Sequence, residues 1–130
     1  MEKIVGTPAE LTAQSVVEVV VPALAPALAF YLDVGFTVER RTSSFVVLRY
    51  DDAFLFLAED PEAPTTRRWT NVRIVVPDVD AVWRRIQERG LNCHKPIADR
   101  PYGLRDFIVR DPAGFEVRFA QPVTSDSRQS

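Results

Sequence analysis

Val17–Phe36 reads VEVVVPALAPALAFYLDVGF, and 55 positions further on Val72–Leu91 reads VRIVVPDVDAVWRRIQERGL. Few residues coincide. Yet Val19, Val21, Pro22, Leu24, Leu28, Tyr31, Gly35 and Phe36 stand in register with Ile74, Val76, Pro77, Val79, Trp83, Ile86, Gly90 and Leu91. Each copy is an apolar, mostly β-branched run, a proline, a pattern of helical period, a glycine and a new apolar start. Proline cannot donate to a β ladder and so closes a strand, while glycine accepts the backbone conformation that ends a helix. The repeat predicts two copies of one supersecondary unit, with a cleft between them as the place to look for function.

Reading outward, Ser15–Val21 is a strand and Pro26 suits the first turn of a helix that runs to Val34. Phe36–Arg41, Phe45–Tyr50 and Phe54–Ala58 follow as strands, with Asp51-Asp52 as a tight turn. Residues 59–68, rich in proline, acid and threonine, form a linker. The second copy has a strand Asn71–Val76 and a helix capped by Asp78 or Asp80 and running to about Arg89. Leu91–Lys95 is its next strand and Pro96–Gly103 a long turn. Leu104–Arg110 and Phe115–Ala120 are the last strands, joined at Asp111-Pro112-Ala113-Gly114. The chain is thus one α+β domain of two tandem βαβββ modules, 15–58 and 69–121. Met1–Gln14 is an arm that depends on docking, and 122–130 is a polar, disordered tail.

A chain of 130 residues suits one domain, and its formal charge of -2 (16 Lys plus Arg against 18 Asp plus Glu) gives no basic stripe for nucleic acid. The apolar run Val16–Phe30 is interrupted by Glu18, Pro22 and Pro26, so no membrane span is expected. The N-terminus lacks the pattern of a signal peptide. The single cysteine, Cys93, excludes an internal disulfide and a cysteine-built metal site. A reduced, cytoplasmic setting is the expectation.

Three blocks carry a resemblance. They are Val21-Pro22-Ala23-Leu24 with Ala29-Phe30-Tyr31 and Gly35-Phe36, then Val76-Pro77-Asp78-Val79-Asp80, then Tyr102–Phe107 leading into Arg110-Asp111-Pro112-Ala113-Gly114. In order and spacing, over Ser15–Gln121, the chain resembles the vicinal-oxygen-chelate superfamily of glyoxalase I, extradiol dioxygenases and bleomycin-resistance proteins. The resemblance implies mixed sheets curled around a shared cavity, commonly in a homodimer. It also implies, for metal-dependent members, ligands on four strands. Carried over, these positions are Val16, Phe56, Asn71 and Arg118. Valine and phenylalanine have no lone pair to offer and a guanidinium repels a cation, so no metal and no cofactor is expected. The one histidine, His94, lies outside that set and reads as a surface or strand-edge residue.

Alternation along the strands divides the side chains. Val17, Val19 and Val21, with Val72, Ile74 and Val76 and with Val117 and Phe119, are expected to pack under the helices. The other parity carries Val16, Glu18, Val20, Phe54, Phe56, Asn71, Arg73, Val75, Glu116 and Arg118. Tyr102 and Arg105, in and after the long turn, form a candidate lid. Glu18 and Glu116 are expected to face Arg73 and Arg118, since buried charge is costly unless paired. The candidate ligand-binding set is therefore Glu18, Phe54, Phe56, Asn71, Arg73, Tyr102, Arg105, Glu116 and Arg118, with no catalytic residue assigned. These charges either satisfy one another in a wet groove or orient a small molecule through guanidinium forks and an aromatic wall.

The expected function is metal-free sequestration of a small molecule by a homodimer of the bleomycin-resistance type. The predicted groove carries both signs of charge, which suits a cationic drug such as bleomycin poorly. The alternatives are an enzyme of the superfamily with an atypical or absent metal site, using Glu18 or Glu116 as base, and a dimer with a vestigial cleft.

Overall fold

The computed structural model describes residues 5–6 and 15–123. Its elements are β1 (Val5–Gly6), β2 (Val17–Val21), α1 (Leu24–Val34), β3 (Thr37–Arg41), β4 (Phe45–Tyr50) and β5 (Ala53–Glu59), then β6 (Asn71–Val75), α2 (Val79–Glu88), β7 (Cys93–Asp99), β8 (Leu104–Arg110) and β9 (Glu116–Pro122). The order βαβββ occurs twice. Contacts divide the chain into one unit that runs to Arg67 and takes in Pro112–Gly114, and a second from Arg68 to Asp111 that resumes at Phe115.

In the first unit the sheet order is β1-β3-β4-β5-β2. Strand β2 lies parallel to β5, with Glu18 opposite Phe56, and the remaining pairings are antiparallel. In the second unit the order is β6-β9-β8-β7, with β6 parallel to β9 and Arg73 opposite Arg118. The first sheet gains β1, whose two residues pair with Arg41 and Arg40. The rest of the expected N-terminal arm lies outside the described residues.

The helices start as the prolines and acids dictate. Pro26 sits in the first turn of α1, where a missing N–H costs nothing. The N–H of Leu24 donates to Glu59 Oε2 at 2.8 Å. Asp78 caps α2 by accepting from the Ala81 N–H at 3.1 Å, and Gln121 Oε1 accepts from the Val79 N–H at 2.9 Å. Glu59 and Gln121 hold equivalent places in the two copies, each near the end of the strand parallel to the one that precedes the helix. Gly35 and Gly90, both at positive φ, follow the helices.

One side of each sheet packs on its helix. In the first unit Val19, Val21, Val46, Leu48, Leu55 and Leu57 are buried with Leu24, Ala27, Phe30, Tyr31 and Val34 of α1. Tyr31 meets both Phe30 and Phe36 edge-on. In the second, Ile74, Phe107, Val109, Val117 and Phe119 are buried with Val79, Val82 and Ile86, and Trp83 lies 5.1 Å from Phe107. Gly114 is required at its turn, because φ is +90° and a Cβ there would sit 2.2 Å from the Thr66 carbonyl oxygen.

Two boundaries differ from expectation. The stretch Pro96–Asp99 continues strand β7, leaving only Arg100–Gly103 as the turn. Strand β7 is a sheet edge, and its register slips between Cys93 and Lys95 and again between Lys95 and Ala98. An edge with a bulge is where a strand tolerates proline. Strand β9 continues through Pro122, and the Val123 N–H donates to the Gly103 carbonyl at 2.9 Å. Residues 124–130 of the expected tail lie outside the described residues.

Candidate functional site

Away from α1, the first sheet presents aromatic side chains. Glu18 and Val20 of β2, Phe54 and Phe56 of β5, and Phe45 and Arg49 of β4 share one parity. Phe45 and Phe56 meet edge-on with centroids 5.2 Å apart, and the Arg49 guanidinium lies 5.6 Å from the centre of Phe54. Arg49 also donates to Glu39 at 3.0 Å. Glu18 is exposed beside this wall. Arg40, Arg41, Thr42 and Phe45 line a small hollow of about 150 Å³.

The corresponding side of the second sheet is ionic. Asn71 lies opposite Glu116 and Arg73 opposite Arg118, all on the parity that points away from α2. The hub is Asp106, fully buried in β8. Its carboxylate accepts from Arg100 Nε at 2.8 Å, from the Tyr102 hydroxyl at 2.5 Å and from Arg118 Nη1 at 3.4 Å. Arg118 Nη1 also donates to the Tyr102 oxygen at 2.9 Å, and Arg73 lies 5.7 Å from the centre of the Tyr102 ring. Burial alone would push the Asp106 carboxyl up. The hydrogen bonds from Tyr102 and Arg100 and the charges of Arg118 and Arg100 outweigh it, and hold the group below the usual carboxylate range. Burial, then the Asp106 carboxylate, holds the Tyr102 phenol above its ordinary value, so it stays protonated at neutral pH.

The pairing of acids differs from the one expected. Glu116 is bound by Arg110 Nη2 at 2.9 Å, with His94 Nε2 at 3.6 Å, and Arg110 Nη2 also lies 2.8 Å from His94 Nδ1. Arg118 takes Asp106 as its acid. The ladder explains the exchange: Arg110 is the direct antiparallel partner of Glu116, and Asp106 sits diagonally across from Arg118. His94 lies at a strand edge but belongs to this buried acid's surroundings. Asp106, Arg110 and His94 were missed from the candidate set, although Asp106 stands alone as an acid within Leu104–Val109 and shares parity with Arg110.

Arg105 departs from the candidate set. It shares parity with Phe107 and Val109, which face α2, and it grips Asp80 at 2.9 Å and Asp99 at 3.1 Å. The hydrogen bond from Arg105 holds the Asp80 carboxyl below its usual range. With Gln121, Pro122 and Val123, these residues line a polar hollow of about 320 Å³ at the start of α2. Tyr102, by contrast, joins Arg73 and Arg118. Its ring is exposed while its hydroxyl reaches back to Asp106. Burial raises the pKa of the Cys93 thiol.

The residues at the four inferred metal-ligand positions do not fit a metal. Val16 and Phe56 have no donor, and the Arg118 guanidinium is fixed in place by a buried carboxylate and a phenol. Among the described residues no three His, Cys, Asp or Glu side chains are grouped to hold an ion.

The profile of the Glyoxalase/Bleomycin resistance protein/Dioxygenase superfamily matches residues 13–119. Among solved structures, the chain is similar to a bleomycin resistance determinant encoded on the transposon Tn5, with TM-score 0.75 and 19% identity over 85% of this chain and 98% of that one. A bleomycin-binding protein complexed with bleomycin gives TM-score 0.71 and 20% identity over the same shares. Lactoylglutathione lyase from Agrobacterium tumefaciens gives 0.67 and 20%, over 88% of this chain and 96% of that one. No curated protein sequence matches significantly. No helix among the described residues is long and apolar enough to cross a membrane.

Proposed function

The chain belongs to the glyoxalase/bleomycin resistance protein/dioxygenase superfamily, and we propose that it is a metal-independent small-molecule binder acting as a homodimer. The observation that carries this reading is Arg118. At the position where metal-dependent relatives need a carboxylate, this chain has a permanent cation held by Asp106 and Tyr102. A cation there opposes a second cation at close range. The same fold serves a bleomycin-binding protein and a lyase, so fold alone does not decide. The side chains favour binding. In the first unit Phe54 and Phe56 offer flat apolar surface; in the second, Arg73 and Arg118 offer polar groups beside the Tyr102 ring, and apolar surface with a few placed polar groups is what orients a small molecule.

The test is a thermal-shift screen of chelator-treated protein against aromatic acids, bases and glycopeptides. A ligand at 100 times its dissociation constant adds about 2.7 kcal/mol of stability. The expected outcome is a shift for at least one class without added metal, diminished in Phe56→Ala. Shifts that arise only with a divalent metal present would contradict it. Light scattering checks the dimer, for which a monomeric mass at micromolar concentration is the adverse result. One observation favours the alternative of a metal-free enzyme, namely the buried Glu116 beside His94, an acid–base pair in outline. Arg110 occupies Glu116 and weakens it as a base, so binding remains the preferred reading.

A further inference from the structure

Arginines occur in two constellations in the second unit, and they differ in charge balance. Arg105 is paired with two carboxylates, Asp80 and Asp99. On the other side of the sheet Asp106 is the carboxylate shared by Arg100 and Arg118, while Arg73 stands on the neighbouring strand directly opposite Arg118. Arg110 and Glu116 neutralise each other nearby. The balance around Asp106 is three guanidinium groups to one carboxylate.

Like charges held side by side on one face of a sheet repel. Folding alone gives no reason to keep Arg73 beside Arg118, because Arg73 is exposed and its contact among the described residues is the face of Tyr102. The Nε of Arg118 is buried and without a hydrogen-bond acceptor there, so its neighbours do not saturate this guanidinium. Next to Arg73 on the same face is Val75, 62% exposed, and Tyr102 is 53% exposed. A cationic fork thus sits beside open apolar surface.

We infer that this face of the second sheet binds an aromatic anion, its carboxylate or phosphate taken by Arg73 over the fixed charge of Arg118 and its ring lying against Tyr102 and Val75. The inference rests on the binder reading above and names the ligand's chemistry. Asp106 is a positioning residue: it holds Arg118 and does not itself receive the anion, while Tyr102 steadies Arg118 through its hydroxyl and meets the ligand with its ring. An anion placed there relieves the Arg73–Arg118 repulsion and gains a charge-assisted, forked pair of hydrogen bonds.

The experiment is a titration of ¹⁵N-labelled protein, followed by amide shifts, with three probes of one shape: benzoate, benzamide and benzamidine. Benzoate is expected to shift amides of β6, β8 and β9 saturably and to bind at least about tenfold more tightly than benzamide, with benzamidine weaker still. Arg73→Gln should cut benzoate affinity about tenfold while leaving the spectrum folded. Arg105→Gln should leave the affinity unchanged. If benzamide or benzamidine binds these strands as tightly as benzoate, the anion assignment is overturned and the binder reading survives. If benzoate shifts no amide of these strands saturably, the inference is overturned. If, in addition, the screen above finds no ligand, the binder reading falls with it.

Discussion

Ring meets ring in the first sheet at the place where acid meets guanidinium in the second. Phe45 and Phe56 of one copy stand where Asp106 and Arg118 stand in the other, by their places in the two ladders. Glu18 likewise corresponds to Arg73, and Phe54 to Glu116. The helix-facing halves of the two copies remain alike, with apolar strands, a proline stop and a strand-end side chain capping the helix. Divergence is concentrated on the sides turned away from the helices. Core positions answer to packing, which both copies must satisfy in the same way, whereas the opposite sides were free to take different chemistry. That is where the proposed binding face lies.

The largest expected effect comes from breaking the ionic side. Asp106→Asn leaves two arginines without their shared acid in a buried setting, and should cost about 3 kcal/mol in urea unfolding. A loss under about 1 kcal/mol would show that the hub is not structural. Transplanting the first sheet's pair, as Asp106→Phe with Arg118→Phe, should recover part of that loss, since an apolar pair replaces one buried ion pair, but not all of it, since Arg100 still lacks its acid. The same double variant should lose benzoate binding. Phe56→Ala, in the half-buried aromatic pair, should cost about 2 kcal/mol, less than a fully buried ring.

Acid distinguishes the two sheets. The folded pKa of Asp106 lies below its unfolded value, so its stabilisation is complete above the ordinary carboxylate range and is lost as pH falls through the folded value. Phe45 has nothing to titrate. Native-state hydrogen exchange should therefore show amides of β8 and β9 losing protection at a higher pH than those of β4 and β5. Equal sensitivity would remove the contrast. The smallest effect is expected from Arg105→Ala, whose partners are partly exposed; it should cost under about 1 kcal/mol and leave ligand binding intact.

The sequence made the backbone plan legible because prolines, glycines and strand alternation act locally. Both modules, both helix starts and the shared parity of Asn71, Arg73, Glu116 and Arg118 follow from such signals. Pro96 misled, because proline marks a turn unless an irregular sheet edge shelters it, and the edge is a property of the assembled sheet. Nearness to the long turn makes Arg105 a lid candidate, although it follows the turn on the strand; counting parity from Phe107 places it toward the helix. Partner choice among charges was hidden for a different reason. Which acid meets Arg118 depends on the register of β8 against β9, and alternation gives the side of the sheet without the register.

The most direct test of the central claim, that a fixed arginine stands where relatives need a metal ligand, is calorimetric titration of chelator-treated wild-type protein with Mn²⁺, Ni²⁺ and Zn²⁺, paired with a benzoate titration of the same sample. The account predicts no stoichiometric metal site of micromolar or better affinity, and benzoate binding unchanged by metal. One equivalent of tightly held metal, required for ligand binding, would contradict it.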